Sequence, residues 1–478
     1  MSFIFSADDF DNYVGDRKSK VIKSKILDGQ SARFSLETSP SKISLENYSD
    51  NLIALNEDLK FSPVVSEQYV LQEKIRNSFG KDKTLNTTDI AGHPDFKLLV
   101  LGETKEHFIT TMFVDIKGST ELSLKYPDDL KFIYEFKNGV IKSCIDVIRG
   151  FDGYVHRIMG DAVLGFFGSS SIGKSQSILD CLNAASLLAI VLENAIKPWL
   201  MRKNKEFDEK DFGFRIGCNF GDNNEILWGN YGYGYVGEIS PTGLPVDLAA
   251  KLQSEADKNQ IMLGQGLLDY FNFPEILSSK KVVNGYEVDY LRPEEYRKKN
   301  GQKLNYTMRL LKRDEYILGL PIGRNAKIKY TKLINEEDLV IDSDSFRLQA
   351  FVSRPGTNKF DAYFSNSQVI PKGSKIKVEL IATEMVKFKY FTVNFYKKNN
   401  SGFKNELDLD SALDPEHEDF DFEIDEDSDF TVSYGLFDRP AKFQRDCTYK
   451  GLHSIRCEVV DKKTKKILFR DYVYVPIE

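Results

Sequence analysis

The chain carries no Cys-x-x-Cys pair. Its five cysteines stand apart, at Cys144, Cys181, Cys218, Cys447 and Cys457. That argues against a disulfide framework or a zinc knuckle and fits a reducing cytosol. It has no excess of positive charge. Lys and Arg number 65 against 72 Asp and Glu, a net charge of −7, which makes a poor generic binder of nucleic-acid phosphates. It also lacks an unbroken apolar run. The most apolar long stretch, Cys181 to Leu200, is interrupted by Asn183, Glu193, Asn194 and Lys197. A membrane helix needs roughly 20 mostly apolar residues, so this stretch is expected to be a buried helix. The first residues, MSFIFSADDFDNY, have neither a basic start nor a long apolar core. No signal peptide is expected, and the expected location is cytoplasmic, without a membrane or nucleic-acid partner. No internal repeat is visible.

What is present is a globular composition. Hydrophobic residues make up 41% and charged residues 29%, which excludes global disorder. A length of 478 residues gives a prior of about three domains. Residues 1–95 are mixed and polar, with a Ser/Asn-rich patch near Ser39–Asn51 and a helix over Glu67–Ser78. They read as an N-terminal extension.

Residues 96–292 alternate apolar runs with amphipathic stretches. Phe96–Leu101, Phe108–Val114, Phe212–Phe220, Glu225–Trp228 and Gln260–Leu263 read as strands. Pro127–Ile148 has helical spacing, with Leu130, Ile133, Phe136, Val140, Cys144 and Val147 on a stripe. Ser177–Arg202 and Pro245–Ala256 are further helices. Tyr154–Met159 and Ala162–Phe167 flank Gly160-Asp161 and read as a hairpin. This order indicates an α+β or α/β domain.

Residues 293–337 read as a linker, rich in Lys, Arg, Asn and Gly as far as Lys332. Residues 338–478 are β-rich. The expected strands are Phe346–Val352, Lys375–Thr383, Tyr390–Tyr396, Phe430–Leu436, His453–Val460 and Ile467–Val475, a sandwich pattern. The acidic run Glu406–Asp429 lacks the glycine and spacing of a calcium loop and is expected to be a solvated loop.

Three motifs can carry chemistry. In Phe113-Val114-Asp115-Ile116-Lys117-Gly118-Ser119-Thr120 an apolar strand delivers a carboxylate to a glycine-containing turn before a helix. Backbone N–H groups there can cradle phosphate, and the carboxylate can hold a hard cation beside it. The plain alternative is an Asp that caps the helix. In Arg157-Ile158-Met159-Gly160-Asp161-Ala162 a second carboxylate sits at a hairpin turn, where Asp is common for local reasons. Two strand-end carboxylates brought together by a sheet could hold two divalent metals. In Gly243-Leu244-Pro245-Val246-Asp247-Leu248-Ala249-Ala250-Lys251, Asp247 and Lys251 share a helix face. By itself that spacing is more often a surface ion pair.

Together, in this order, the motifs resemble the class III nucleotidyl cyclases, over a little under 200 residues from Phe108 to Leu291. His93-Pro94-Asp95-Phe96 and the β-rich tail, above all Gly451–Glu478, resemble the pyrimidine cyclases of the Pycsar antiphage system, which carry a C-terminal sensor domain. The resemblance implies a ferredoxin-like α+β catalytic domain followed by a β-sandwich sensor domain. It implies two divalent ions, Mn²⁺ or Mg²⁺, held by Asp115, Asp161 and the backbone carbonyl of Ile116. The N–H groups of Ile116, Lys117, Gly118, Ser119 and Thr120 would hold the β- and γ-phosphates of a nucleoside triphosphate. The 3′-oxygen would attack the α-phosphorus and pyrophosphate would leave. It further implies a head-to-tail homodimer with shared sites, a separate cyclic-nucleotide effector and a phage trigger.

Several positions depart from the family pattern. The ribose-orienting Asn is Asp247 and the transition-state Arg is Lys251, which keeps charge but loses the bidentate fork. The base-reading pair is Arg157 and Ser240, in place of Lys and Asp in adenylyl cyclases or Glu and Cys in guanylyl cyclases. Arg157 only donates, so the pair favours a pyrimidine, with a lean to UTP over CTP. Phe113, two residues before Asp115, shares its strand face and could narrow the base pocket, although core packing is the plainer role for a Phe.

Two other readings compete. Gly168-Ser169-Ser170-Ser171-Ile172-Gly173-Lys174-Ser175 matches the GxxxxGK[ST] phosphate loop, between a strand and a helix. A non-catalytic nucleotide sensor would account for the altered Asp247 and Lys251.

Overall fold

The computed structural model describes residues 5–14, 69–203, 212–233, 236–292, 295–323, 326–327, 330, 345–382, 390–400, 416–423 and 441–478. The expected features at Ser39–Asn51 and Phe430–Leu436 lie outside these described residues. The N-terminal helices are α1 (Ala7–Val14) and α2 (Val70–Ser78). Next come β1 (Thr104–Glu106), β2 (Ile109–Lys117), α3 (Ser119–Lys125), α4 (Leu130–Gly150), β3 (Tyr154–Met159), β4 (Ala162–Phe167), α5 (Lys174–Val191) and α6 (Lys197–Lys203). This N-terminal half continues with β5 (Gly213–Gly221), β6 (Leu227–Tyr233), β7 (Val236–Thr242), α7 (Leu244–Glu255), β8 (Gln260–Gly264) and α8 (Gln265–Phe271). It closes with β9 (Ser278–Ser279), β10 (Lys281–Val283), β11 (Tyr286–Val288), β12 (Met308–Leu311) and α9 (Arg313–Leu318).

The central sheet runs β3-β4-β2-β5-β8-β12-β9, antiparallel except for the parallel pair β5 and β8. The fold is α+β. In β2 the side chains of Val114 and Ile116 are buried while Phe113, Asp115 and Lys117 are half-buried. The two-residue period of a strand thus puts Phe113, Asp115 and Lys117 on one face. Helix α4 begins where Asp129 accepts the Phe132 N–H, a helix cap. Its buried stripe holds Ile133, Phe136, Val140, Cys144 and Val147, but Leu130, in its first turn, is exposed.

Helix α5 is buried nearly throughout. Sheet and helices cover one side, and residues of the C-terminal half reach its other side, where Asn183 Nδ2 donates to the Asn366 carbonyl. The segment Lys174–Lys203 is long and apolar enough to cross a membrane, but 94% of its apolar window is buried inside the protein. The expected single helix Ser177–Arg202 is interrupted by one π-helical turn at Leu192–Ile196. The described N-terminal residues join this same core: Phe10, Leu71 and Ile75 are fully buried in it. Tyr13 donates to Asp146 of α4, whose carboxyl burial pushes up to about 7.

The C-terminal half consists of β13 (Phe346–Ser353), β14 (Asp361–Tyr363), β15 (Lys375–Ala382), β16 (Tyr390–Lys398), β17 (Glu416–Glu423), β18 (Lys442–Asp446), β19 (Gly451–Asp461) and β20 (Ile467–Ile477). Two four-stranded sheets, β14-β13-β15-β18 and β17-β16-β19-β20, share one core. Phe346 meets Phe391 across it at 5.7 Å between ring centres, and Phe395 meets Phe443 at 5.4 Å. This is a sandwich.

Three expectations are corrected. Phe96–Leu101 is not a strand: it runs in turns, with Leu99 N–H on the Phe96 carbonyl, and Phe96 and Leu99 are buried against Trp228 and its neighbours. The stretch read as a linker holds β12, which pairs with both β8 and β9, so the central sheet continues to Leu311. Within the acidic run, Glu416–Glu423 forms β17 and pairs along β16. There Phe420 and Phe422 alternate with Asp419 and Asp421, a strand period that the net acidity obscures.

Candidate active site

The carboxylates of the first two motifs meet at one end of the central sheet. Asp115 is opposite Ala162 on β4, so Asp161 at the hairpin turn lies beside it. Asp115 is also opposite Arg215 on β5. Its Oδ2 accepts from Arg215 Nε at 2.9 Å and from Gln253 Nε2 of α7 at 3.3 Å. Arg215 Nη2 also donates to it. Asp161 accepts a hydrogen bond from Ser119 Oγ. Asp115 is only 15% exposed, yet its charge is met by a guanidinium, as a buried carboxylate requires.

The turn between β2 and α3 has Gly118 at φ 98°, where a side chain would be strained. Gly118 caps the helix, so the expected alternative, an Asp cap, does not describe Asp115. Ser119 is buried, Thr120 exposed, and Lys117 reaches Asp257 at 3.8 Å. The first N–H groups of a helix have no partner within it, so this turn presents donors next to two carboxylates.

The donor set suits a divalent cation. Among the described residues there is no cluster of three His, Cys, Asp or Glu side chains, which excludes an all-protein cage of such side chains. Mg²⁺ and similar ions are commonly held by one or two carboxylates, with substrate phosphates and water completing the shell. Asp115, Asp161 and the Ile116 carbonyl fit that pattern.

Arg157 on β3, Leu164 on β4 and Phe113 on β2 form one cross-strand row. Arg157 is thus two strand spacings from Phe113, roughly 10 Å. Phe113 packs half-buried against the cluster of Trp228 and Val246. Arg157 is about half exposed and pairs with Glu238 of β7, with Nε on Oε2 at 3.2 Å. Glu238 and Ser240 share a strand face by the same period, and His156 Nε2 bonds the Ile239 carbonyl between them. The surface expected to read the base therefore holds an acceptor beside the donor Arg157. Sequence reasoning missed it, because Glu238 becomes relevant only once β3 lies against β7.

Helix α7 packs closely on β5: a Cβ on Gly217 would come within 2.4 Å of the Ala249 carbonyl oxygen. Gln253 faces Asp115, and Lys251 is about 200° away around the helix. Asp247 and Lys251 are both exposed, and among the described residues they form no ion pair. Within one chain they are not brought to Asp115.

The phosphate-loop match is built differently. It lies past the far end of β4 from Asp161, about 20 Å along six residues. Ser170 N–H and Oγ both donate to the Asp95 carboxylate at 2.7 Å. Lys174 is tied to Asp222. β4 pairs antiparallel with both neighbours, whereas that phosphate loop belongs to a parallel βα unit. His93, in the same region, is buried among Phe96, Tyr154 and Trp228, and burial holds its pKa down near about 3. His93-Pro94-Asp95-Phe96 thus fastens the loop.

No family model matches the chain. It is 40% identical over 327 residues to a cytidylate cyclase of Escherichia coli, covering 68% of this chain and 69% of that one. A second E. coli cytidylate cyclase is 33% identical over 418 residues, covering 84% and 82%. One from Staphylococcus aureus is 37% identical over 253 residues, covering 50% and 58%. Solved structures that resemble it include the adenylyl cyclase CyaB from P. aeruginosa, at 17% identity and TM-score 0.35 over 44% of this chain and 95% of that one. The guanylyl cyclase Cya2 matches at 17% and 0.33 over 44% and 93%. With two relatives above 30% identity matched over more than two thirds of their length, the chain belongs to the Pycsar-type cytidylate cyclases and is a nucleotidyl cyclase.

Proposed function

We propose that the protein converts CTP to 3′,5′-cyclic CMP and pyrophosphate. The observation that carries this is the identity to three cytidylate cyclases, and it moves the lean from UTP to CTP. The base-reading surface supports it. Cytosine offers acceptors at O2 and N3 and a donor at N4, which suit Arg157 and the adjoining Glu238 or Ser240.

Asp115, Asp161 and the Ile116 carbonyl would hold two divalent ions, Mn²⁺ or Mg²⁺. When bound, such ions lower the pKa of the ribose 3′-OH and neutralise the triphosphate. Ser119 fixes the Asp161 carboxylate. Arg215, released from Asp115 as that carboxylate takes a cation, would meet a phosphate oxygen with its planar fork. The N–H groups from Ile116 to Thr120 would receive the terminal phosphates. The 3′-hydroxyl gives its proton to solvent, its oxygen forms a bond to the α-phosphorus as the bond to the bridging oxygen breaks, and that oxygen leaves with pyrophosphate.

The exposed Asp247 and Lys251, and the half-exposed Arg157, favour a homodimer in which a second chain completes each site. A cytoplasmic second-messenger role in antiphage defence, with a separate cyclic-nucleotide effector and a phage trigger, follows from the Pycsar resemblance.

The test is a product assay. The purified full chain is incubated with Mn²⁺ and each of ATP, GTP, CTP and UTP, and products are identified by mass. Cyclic CMP with pyrophosphate is expected. Cyclic UMP would restore the lean to UTP, and cyclic AMP or GMP would overturn the assigned roles of Arg157, Glu238 and Ser240.

A further inference from the structure

The outer face of the sheet β17-β16-β19-β20 is turned toward the catalytic half. Two cross-strand rows lie on it: Tyr396, Arg456 and Tyr472, and Lys398, Ser454 and Tyr474. The alternate residues Phe395, Ile455, Cys457 and Val473 point the other way, into the sandwich core. Tyr474 joins the core of the catalytic half, and its hydroxyl donates to the Glu315 carbonyl at 2.9 Å. The two halves touch there but do not close. Between them lies a cavity of about 430 Å³, walled on the catalytic side by Pro274, Ile276 and Leu277 and by Lys312, Glu315 and Leu318. That volume is within the roughly 300–1,000 Å³ of small-molecule sites.

The charge in this cavity is unbalanced. Lys312, Lys398 and Arg456 line it, and Glu315 is the one acidic side chain among its lining residues. Arg456 stacks 4.2 Å over the Tyr396 ring and shares a single carboxylate, Glu458, with Arg470. Lys398 makes no ion pair among the described residues. Burial, and then the repulsion of Arg456 and Lys312, hold its ammonium below its ordinary pKa. His453 adds no charge at neutral pH, because burial lowers its pKa to about 4. Gathering like charges in a half-buried space costs folding stability, and among the described residues Glu315 and Glu458 offset it only in part. A bound anion would offset the rest.

We propose that this cavity binds a nucleoside phosphate, its phosphate held by Lys398, Lys312 and Arg456 and its base stacked on Tyr472. A bare phosphate would leave most of the volume empty. The tyrosines supply flat apolar surface, and Glu315, Asn399 and Ser454 supply partners for ribose or base. By register Lys312 lies level with Gln260, Arg215 and Asp115, at the same end of the sheet but three strand spacings, roughly 15 Å, from Asp115, and the site does not depend on which base the catalytic site takes. Its catalytic wall is continuous with the central sheet, since Lys312 directly follows β12.

Calorimetric titration of the full chain without divalent metal tests this, using CTP, CMP, cyclic CMP, cytidine and orthophosphate. At least one of the three nucleotides is expected to bind at least tenfold more tightly than cytidine or orthophosphate. The strongest distinguishes a substrate-like from a product-like ligand. Lys398→Gln is expected to weaken that binding at least tenfold while raising the ligand-free Tm, because it removes repulsion. Lys398→Arg is expected to retain binding, and Asp161→Ala to leave it unchanged. The proposal is overturned by no nucleotide binding at millimolar concentration, by orthophosphate binding equally well, by unchanged affinity in Lys398→Gln, or by binding lost in Asp161→Ala.

Discussion

Two strand–turn–helix junctions in this chain look equally fit to hold phosphate when written as letters, and the folded chain treats them in opposite ways. At the end of β2, Gly118 opens a turn beside Asp115 and Asp161, and the partners of those carboxylates are a guanidinium, an amide and a hydroxyl. All three can be exchanged for cations and phosphate. At the end of β4, the donors of Ser170 go to Asp95 and Lys174 goes to Asp222. Those carboxylates belong to the protein and occupy the places where phosphate oxygens would sit. The donors of the β2 turn are thus open to phosphate, while those of the β4 loop are already used by internal acids.

The comparison can be sharpened by experiment, and the largest effect should come from the β2 junction. Asp161→Ala and Arg157→Ala should each lose about 10³-fold or more in cyclisation rate, roughly 4 kcal/mol of transition-state stabilisation. If a second chain completes each site, an equimolar, re-equilibrated mixture of the two variants recovers activity. Half the dimers are mixed and each has one intact site of two, so the rate should reach about a quarter of wild type. A mixture no faster than either variant would place both residues in a single-chain site.

The β4 junction should respond weakly. Asp222→Asn removes the partner of Lys174, yet cyclisation should stay within about twofold, and the loss of stability at pH 7 should be under about 1 kcal/mol for so exposed a pair. Although its partial burial opposes the shift, hydrogen bonds from Lys174 and the Asn223 N–H, together with the Lys174 charge, bring the Asp222 pKa below 3.8. A carboxyl lowered on folding contributes stability above its unfolded value and loses it as the pH falls through the folded one. The difference between wild type and Asp222→Asn in urea unfolding should therefore be constant from pH 5 to 8 and shrink below about 3.8. A difference that grew on acidification would contradict the ion pair.

Much of the candidate site was legible because it depends on short-range pattern. Asp115 follows an apolar strand and Asp161 sits in a Gly-Asp turn, so both announce themselves within eight residues. Arg215 and Glu238 do not. Arg215 is 100 residues from Asp115 and matters only through the register of β2 with β5. Glu238 matters only because β3 lies against β7. The same limit hid β12, whose Met308–Leu311 is set in a stretch rich in Lys, Arg and Asn, and β17, whose alternation is masked by acid. The cavity between the halves was invisible for the same reason: Lys312, Lys398 and Arg456 come together only when the sandwich docks on α9.

The most direct test of the account is the rate of cyclic CMP formation from CTP and Mn²⁺ by wild type, Asp115→Ala and Lys174→Ala, measured side by side. The account predicts no product above background from Asp115→Ala and a rate within about threefold of wild type from Lys174→Ala. Product persisting in Asp115→Ala, or lost in Lys174→Ala while that variant remains folded, would contradict it and move the chemistry to the far end of β4.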